Sequence, residues 1–384
     1  MRLLALVDSP DHVCCRYRIR AFEPALRDAG WSLTCEPLER ALLPRLRQLR
    51  AVAGYDAVVL QRKLLPAWEL SLLRRNARHL AFDFDDAVLH RDSYDRRGAA
   101  SSRRAARFAR TVRAADVVLA GNDYLADCAL RAGASAETVR TIPTCVDPGR
   151  YSVKAAGPSH DGPPELVWIG SSSTLKGIEA RRPLWERLGR AIPGLRLRVI
   201  CDRFPKFENL EVVATPWSEA AEAEDLARGD VGVGLMPDDD WSRGKCGLKI
   251  LQYQAAGLPV IANPVGSHVE MIEPGATGHL ATTDDEWLAA VRASADAGAR
   301  ARMGREARRR VESHYSVAAW GAAFAASATG IDGPPGGRRE PPAEGAFGLA
   351  FAPHVTRQRA RAVGSPHATA APPRASRRGR HGSE

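Results

Sequence analysis

Lysine is scarce in this chain: 384 residues carry six, against 49 arginines. Where arginine is the default cation, each lysine marks a place where a compact ammonium is wanted. Three of the six are Lys176, Lys245 and Lys249. Long apolar runs are missing as well, which excludes a membrane span and leaves peripheral contact as the only kind open to the chain. The opening "MRLLALV" stops at Asp8, too short for a signal core, and reads as a first strand. The seven cysteines (14, 15, 35, 128, 145, 201, 246) are odd in number and never spaced as CxxC, so they read as reduced thiols of a cytoplasmic protein, with neither a disulfide framework nor a zinc site. Nucleic-acid signatures are absent too. The net charge of +10 invites that reading, but nine arginines against four acids after residue 330 put +5 of it in the tail. No zinc-finger spacing or aromatic-glycine motif accompanies the rest, and nucleic acid is not expected as a partner.

What is present is alternation. Short apolar strands ("RLLALV", "WSLTCE", "DAVVLQ", "HLAFDF", "DVVLAG", "TVRTIP") alternate with amphipathic stretches near 17–29, 38–52, 101–114 and 123–133. That pattern predicts an α/β domain with a doubly wound parallel sheet over residues 1–150. "GRYSVKAAGPSHDGPPE" then breaks it, and 151–164 reads as a linker. The alternation resumes from "ELVWIG" to "PVIANP", with helices expected over 178–191, 218–228 and from 284 to 328, giving a second Rossmann-like domain over 165–330. Its last helix is placed to pack back on the first domain. Residues 331–384, rich in Pro, Gly and Arg, read as a disordered tail, with Phe347, Leu349 and Phe351 as a small apolar patch suited to a partner or simply to solvent. Ligands of such sheets bind at the carboxyl ends of the strands, which for two facing domains means the cleft between them.

The stretch "RGKCGLKILQYQAAGLPVIANPVGS" (243–267) predicts a helix starting near Gly247 or Leu248 and ending at Gly257. Free N–H groups at such a start form an anion site, Gly247 permits close approach, and Lys245 and Lys249 add full charges beside it. Ordinary solvated lysines are the competing reading.

These residues resemble family 4 retaining glycosyltransferases, whose GT-B fold sets two Rossmann-like domains face to face. The likeness runs through "LVWIGSSSTLKGIEA" and, more loosely, "RYRIRAFEPALRDAGW", "FDFDDAV" and "ADVVLAGNDYLADCALRAGA", covering about 1–328. It implies transfer of a sugar from a nucleotide diphosphosugar with retention, without a metal or any other cofactor. By position it gives Gly170 the loop under the donor, Lys176 the diphosphate, and Lys245, Cys246, Gly247 and Leu248 the loop facing sugar and phosphates. Gly266 and Glu270 match a glycine turn followed by an acid, with Glu270 either on the donor or capping its helix. Two positions depart from the pattern. Where the family has Glu-x7-Glu, this chain has Gly244 and Gln252, and where an arginine often follows the loop glycine it has Ser171. Gln252 can still hydrogen-bond a ribose. Lys245 and Lys249 are expected to supply the cation missing at Ser171.

In the first domain, Asp83, Asp85 and Asp86 end a strand and so face the cleft. They read as acceptor-side carboxylates, with Asp85 or Asp86 orienting a hydroxyl, as structural turn formers, or as the D-x-D of a haloacid-dehalogenase-like phosphatase. Arg16 and Arg20, one helical turn apart, suit an anionic acceptor or solvent equally, and His12 is a lone loop histidine. On the helix near 101–114, Ala105, Phe108, Ala109 and Val112 define one face and Arg103, Arg107 and Arg110 the other, a basic stripe suited to an anionic membrane surface or to solvent. The expected protein is therefore a cytoplasmic, metal-independent glycosyltransferase, peripheral to the inner membrane face if its anionic acceptor is lipid-linked, with Lys176, Lys245, Asp85 and Asp86 as its catalytic candidates. A catalytically degenerate sugar-nucleotide-binding or scaffold protein is the alternative.

Overall fold

The computed structural model describes residues 1–153 and 162–331. Most of the predicted linker, and the predicted tail with Phe347, Leu349 and Phe351, lie outside the described residues. Among these residues, twelve strands form two six-stranded parallel sheets. The first holds β1 (Arg2–Val7), β2 (Ser32–Pro37), β3 (Ala57–Gln61), β4 (Leu80–Phe84), β5 (Val117–Ala120) and β6 (Val139–Thr141), in the order β2-β1-β3-β4-β5-β6. The second holds β7 (Glu165–Ile169), β8 (Arg196–Cys201), β9 (Glu211–Pro216), β10 (Val231–Gly234), β11 (Val260–Ala262) and β12 (Gly278–Leu280), in the order β12-β11-β10-β7-β8-β9. Central strands such as β3, β4 and β7 are buried at every position, as continuous apolar runs covered on both faces must be. The edge strands β2 and β9 each expose three of their six residues to water.

Helices Leu42–Ala51, Ala67–Asn76, Ser102–Ala114 and Asp123–Arg131 cover one face of the first sheet. The other face is covered by Val13–Arg18, Glu23–Asp28 and, from the far end of the chain, Val317–Thr329. Phe324 of that last helix stacks on Phe22 with ring centroids 4.3 Å apart, so the helix completes the first lobe's core.

Several elements differ from expectation. The single helix near 17–29 is three pieces, Val13–Arg18, a 3-10 turn over Arg20–Phe22, and Glu23–Asp28, because Ile19 leaves helical geometry (φ −123°). Helix 178–191 is two, Ser172–Ala180 and Arg182–Ala191, the second opened by Pro183. The helix Ala67–Asn76 was not anticipated, although Pro66 caps it and Leu70 and Leu73 give it a buried face. β12 was missed because three residues carry no usable period. On Ser102–Ala114 the buried positions are Phe108, Thr111 and Val112, while Ala105 is exposed. Arg107 is only half exposed because its guanidinium donates to Leu64 O at 3.1 Å, leaving Arg103, Arg110 and Arg113 outermost.

Candidate functional site

The helix start read as an anion site lies where the sequence places it. The helix Leu248–Ala255 begins after Gly247, which adopts a left-handed conformation (φ 61°). A side chain there would run into Met271 and Ser267, so the turn requires glycine on both counts. Gly257 ends the helix, also at positive φ (73°). Lys249, on the helix's first turn, points its ammonium at the Trp168 ring, 5.6 Å from the centroid. That ring in turn packs against Gly170, the glycine of the β7 loop. Burial first, and then the neighbouring Lys245 charge, lower the Lys249 pKa from 10.5 to about 8. His268, close by, is kept neutral: burial depresses it to about 4, while its Nδ1 lies 2.9 Å from Asn263 O.

Lys245 crosses to the first lobe. Its Nζ donates to Asp86 Oδ1 at 2.7 Å and lies 4.9 Å from the centre of the Trp241 ring. Asp86 also receives Arg62, whose Nε stands 3.5 Å from Asp85 and which donates to the Cys14 sulfur as well. Arg62 is the one non-glycine at positive φ among the described residues (58°). Such a residue stores strain that surrounding contacts must hold. Against the upward push of burial, Arg62, Arg18 and Lys245 hold the Asp85 carboxyl below its ordinary range. Two carboxylates and two cations thus meet at the carboxyl ends of β3 and β4, directly against the second lobe's loop.

That loop is docked rather than open to solvent. Asn122, at the end of β5, donates to Lys245 O at 3.2 Å, and Ser267 Oγ donates to the same carbonyl at 2.8 Å. The Cys246 side chain sits in the first lobe's core, and a side chain on Gly121 would overlap its sulfur. Gly244, where the resemblance calls for glutamate, would set a Cβ 2.7 Å from Ala87 Cβ and 2.8 Å from Ala87 N. The carboxylate is missing from a place where this packing leaves no room for one.

Gln252 is buried in a second network across the junction. Its Nε2 donates to Glu222 Oε1 at 2.9 Å and to Tyr17 OH at 3.2 Å. Tyr17 donates to the same Glu222 oxygen at 2.9 Å, Tyr151 OH lies 3.0 Å from Tyr17 OH, and Trp217 Nε1 donates to Glu222 Oε2 at 2.9 Å. Position 252 thus lacks a carboxylate of its own but holds one through its amide. Lys176 lies exposed on Ser172–Ala180, its ammonium 5.5 Å from the centre of the Tyr94 ring, while Ser171 is an exposed helix cap. Glu270 lines a crevice of about 350 Å³ with Asn122, Tyr124, Arg243 and Gly266, and burial together with Asp123 raises its pKa. A larger hollow of about 690 Å³ opens beside Gly275, Ala293 and Ala299 and is lined by none of these groups.

The first-lobe candidates divide. Asp85 and Asp86 join the cluster. Asp83 does not: it is fully buried, receives Arg18 at 2.5 and 3.2 Å and Gln61 at 3.3 Å, and has no face left for an acceptor. The same burial removes the nucleophile from the phosphatase reading. Arg16 pairs with Glu219 of the second lobe at 2.9 Å, and Arg20 stands in solvent 3.8 Å from Asp11. His12 caps Val13–Arg18, its Nδ1 accepting from Cys14 N. The sequence reading missed Arg62, Asn122, Tyr94 and the Tyr17–Glu222 network. Arg62 was the findable one, since carboxylates grouped at a strand end need a counter-charge and "QRK" ends the neighbouring strand.

Residues 181–326 match a family described as glycosyl transferase-like. No curated protein matches the chain. Among solved structures, HepE of Anabaena in complex with UDP-glucose superposes with a TM-score of 0.64 at 14% identity, over 86% of this chain and all of that one. Sucrose-phosphate synthase of Thermosynechococcus elongatus gives 0.64 at 17%, over 84% and 96%. A glycosyltransferase of Rickettsia africae gives 0.60 at 12%, over 84% and 95%. With the two six-stranded parallel sheets and the junction between them, these likenesses establish the fold as GT-B.

Proposed function

We propose that the protein is a family 4 glycosyltransferase that moves a sugar from a nucleotide diphosphosugar to an acceptor with retention, using fixed cations instead of a metal. In this reading residues 165–330 bind the donor and residues 1–150 the acceptor. The observation that carries it is the glycine-opened helix start at Gly247 flanked by Lys245 and Lys249, half-buried at the lobe junction. Charge builds on the diphosphate as the glycosidic bond breaks, and prepositioned ammonium groups and N–H dipoles stabilise it most where water is excluded. The match to a glycosyl transferase-like family over 181–326 and the UDP-glucose complex of HepE support the same reading.

Roles follow from the contacts. Lys249 and the N–H groups at Leu248 face the diphosphate above Gly170, with Cys246 fixing the loop in place and Lys176 at the outer rim. Lys245 exchanges Asp86 for the donor phosphate, freeing Asp86 and Asp85 to orient the acceptor hydroxyl. The hydroxyl proton leaves to the departing phosphate or to this carboxylate pair. Gln252, held by Glu222, offers its amide to the ribose, and Glu270 lies within the crevice that the transferred sugar would enter.

A panel of UDP-, GDP-, ADP- and TDP-sugars, scored by ligand-observed NMR and by nucleotide release, tests the reading. One donor is expected both to bind and to turn over, with Lys245→Ala slowing release by about a hundredfold. Binding without release would leave a degenerate sugar-nucleotide binder, and no binding to any donor would overturn the reading.

A further inference from the structure

Large apolar side chains exposed singly are ordinary on a protein surface, but three gathered at one rim are not. Leu42 is 54% exposed, Leu43 67% and Trp68 50%, with Ala41 and Pro44 exposed beside the leucines. Leu42 and Leu43 open the helix Leu42–Ala51, and Trp68 lies in the first turn of Ala67–Asn76. The two helix starts are joined by Arg45, whose Nη1 stands 3.2 Å from Glu69. Both helices follow parallel strands and so begin at the sheet edge that faces the candidate site.

The apolar tip is held out by a rigid base. Arg45 donates to Glu39 O at 2.5 Å and to Arg40 O at 2.8 Å. Gln48 accepts from Glu39 N and donates to Pro37 O, each at 3.0 Å. The leucines are therefore presented outward by a loop whose polar groups are satisfied behind them. Charge completes the pattern. The helices Leu42–Ala51, Ala67–Asn76 and Ser102–Ala114, side by side on this face, hold ten arginines and one acid, Glu69, which is buried.

We propose that this rim docks on an anionic phospholipid bilayer, with Leu42, Leu43 and Trp68 entering the headgroup boundary and the arginines, Arg47 and Arg103 among them, lying against the lipid phosphates. A protruding apolar knob backed by predominantly basic helices, with Glu39 as an exposed acid in the loop beneath it, fits an anionic interface better than a groove-binding peptide, because leucine and tryptophan partition into the boundary while arginine gains from its surface potential. The inference stands apart from the transfer reading, because docking is measured with no donor present.

The test is flotation of the full chain with vesicles of phosphatidylcholine alone and with added phosphatidylglycerol. The nine arginines after residue 330 are common to every variant, so comparison between variants isolates the rim. Binding to the phosphatidylglycerol vesicles is expected to fall at least about tenfold in Leu42→Ser/Leu43→Ser/Trp68→Ser, whose sites are exposed. It should fall about fivefold for each of Arg47→Ser and Arg103→Ser. Brominated lipid should quench a component of the tryptophan emission that Trp68→Phe removes. Undiminished binding by the triple variant, or Trp68 emission indifferent to brominated lipid, would overturn the proposal, as would retention by a single-stranded nucleic acid but not by vesicles.

Discussion

Lys249 titrates where ordinary lysines do not, and that gives the site a pH signature. With its pKa lowered to about 8 by burial and by Lys245, the side chain in the free protein is charged below pH 8 and largely neutral above it. On the proposed reading a donor diphosphate binds the ammonium form and pulls the pKa back up, so its binding is expected to take up a proton at and above pH 8. Donor affinity is expected to be highest near pH 7 and to weaken through pH 8 by at most about tenfold per unit, the limit for one linked proton. Calorimetry in buffers of different ionisation enthalpy reads the uptake directly, and Lys249→Met should abolish it. Stability runs the other way. In the unfolded chain Lys249 keeps its proton up to about pH 10.5, so the unfolded state binds more protons between pH 8 and 10.5, and this group's contribution to stability rises across that window. Uptake that persists in Lys249→Met would assign the proton to another group.

At the scale of the element, the loop before Leu248–Ala255 shows what a sequence conveys and what it withholds. Its helix was legible because both ends are glycines in conformations other residues resist, at φ 61° and 73°. Most strands and most helices were legible for a similar reason, since each of those carries its own period. The purpose of Gly244 was not, because the atom that excludes a side chain there belongs to Ala87, far away in sequence. Gln252 is the same case: its partner Tyr17 lies 235 residues off. Asp83 and Asp85 lie two residues apart, where alternation alone would give them the same facing, yet β4 ends at Phe84 and one is sealed against Arg18 while the other meets Arg62, a distinction that "FDFDD" does not spell out. The packing at Gly244 makes a prediction against intuition. Restoring the glutamate that the resemblance calls for, as Gly244→Glu, should not improve transfer. It should cost about 1–3 kcal/mol through overpacking against Ala87 and loosen the junction, read as a lower denaturant midpoint and faster proteolysis near 239–247. A gain in transfer with unchanged stability would mean that the lobes part readily enough to admit a side chain there.

At the scale of the whole molecule, the chain crosses between lobes twice, and the second crossing decides how the halves depend on each other. After the helix Ala297–His314 against the second lobe, Ser316 bridges to Val146 and the helix Val317–Thr329 lies across the first sheet. There Phe324 is fully buried against Phe22, and the backbone at Gly321 comes close enough to Ala25 that a Cβ would approach Ala25 Cβ to 2.7 Å. The first lobe's core therefore stays incomplete until the end of the second has been made. Phe324→Ala removes a stacked ring from that core and should cost about 3–5 kcal/mol, the range for a fully buried phenylalanine. Because the loop carrying Lys245 and Cys246 is docked on the same lobe, the loss should reach the second lobe as well. The edge-to-face pair Trp185–Trp287, 5.9 Å apart in the second lobe's core, provides a near-ultraviolet reporter of that lobe when its signal is taken as the difference from Trp185→Phe. In denaturant its signal is expected to move to a lower midpoint together with the far-ultraviolet transition. A Trp185–Trp287 transition left at its original midpoint while the first lobe unfolds early would show that the junction carries contact without cooperativity, and the loop carrying Lys245 and Cys246 would then have to be treated as free to leave its seat.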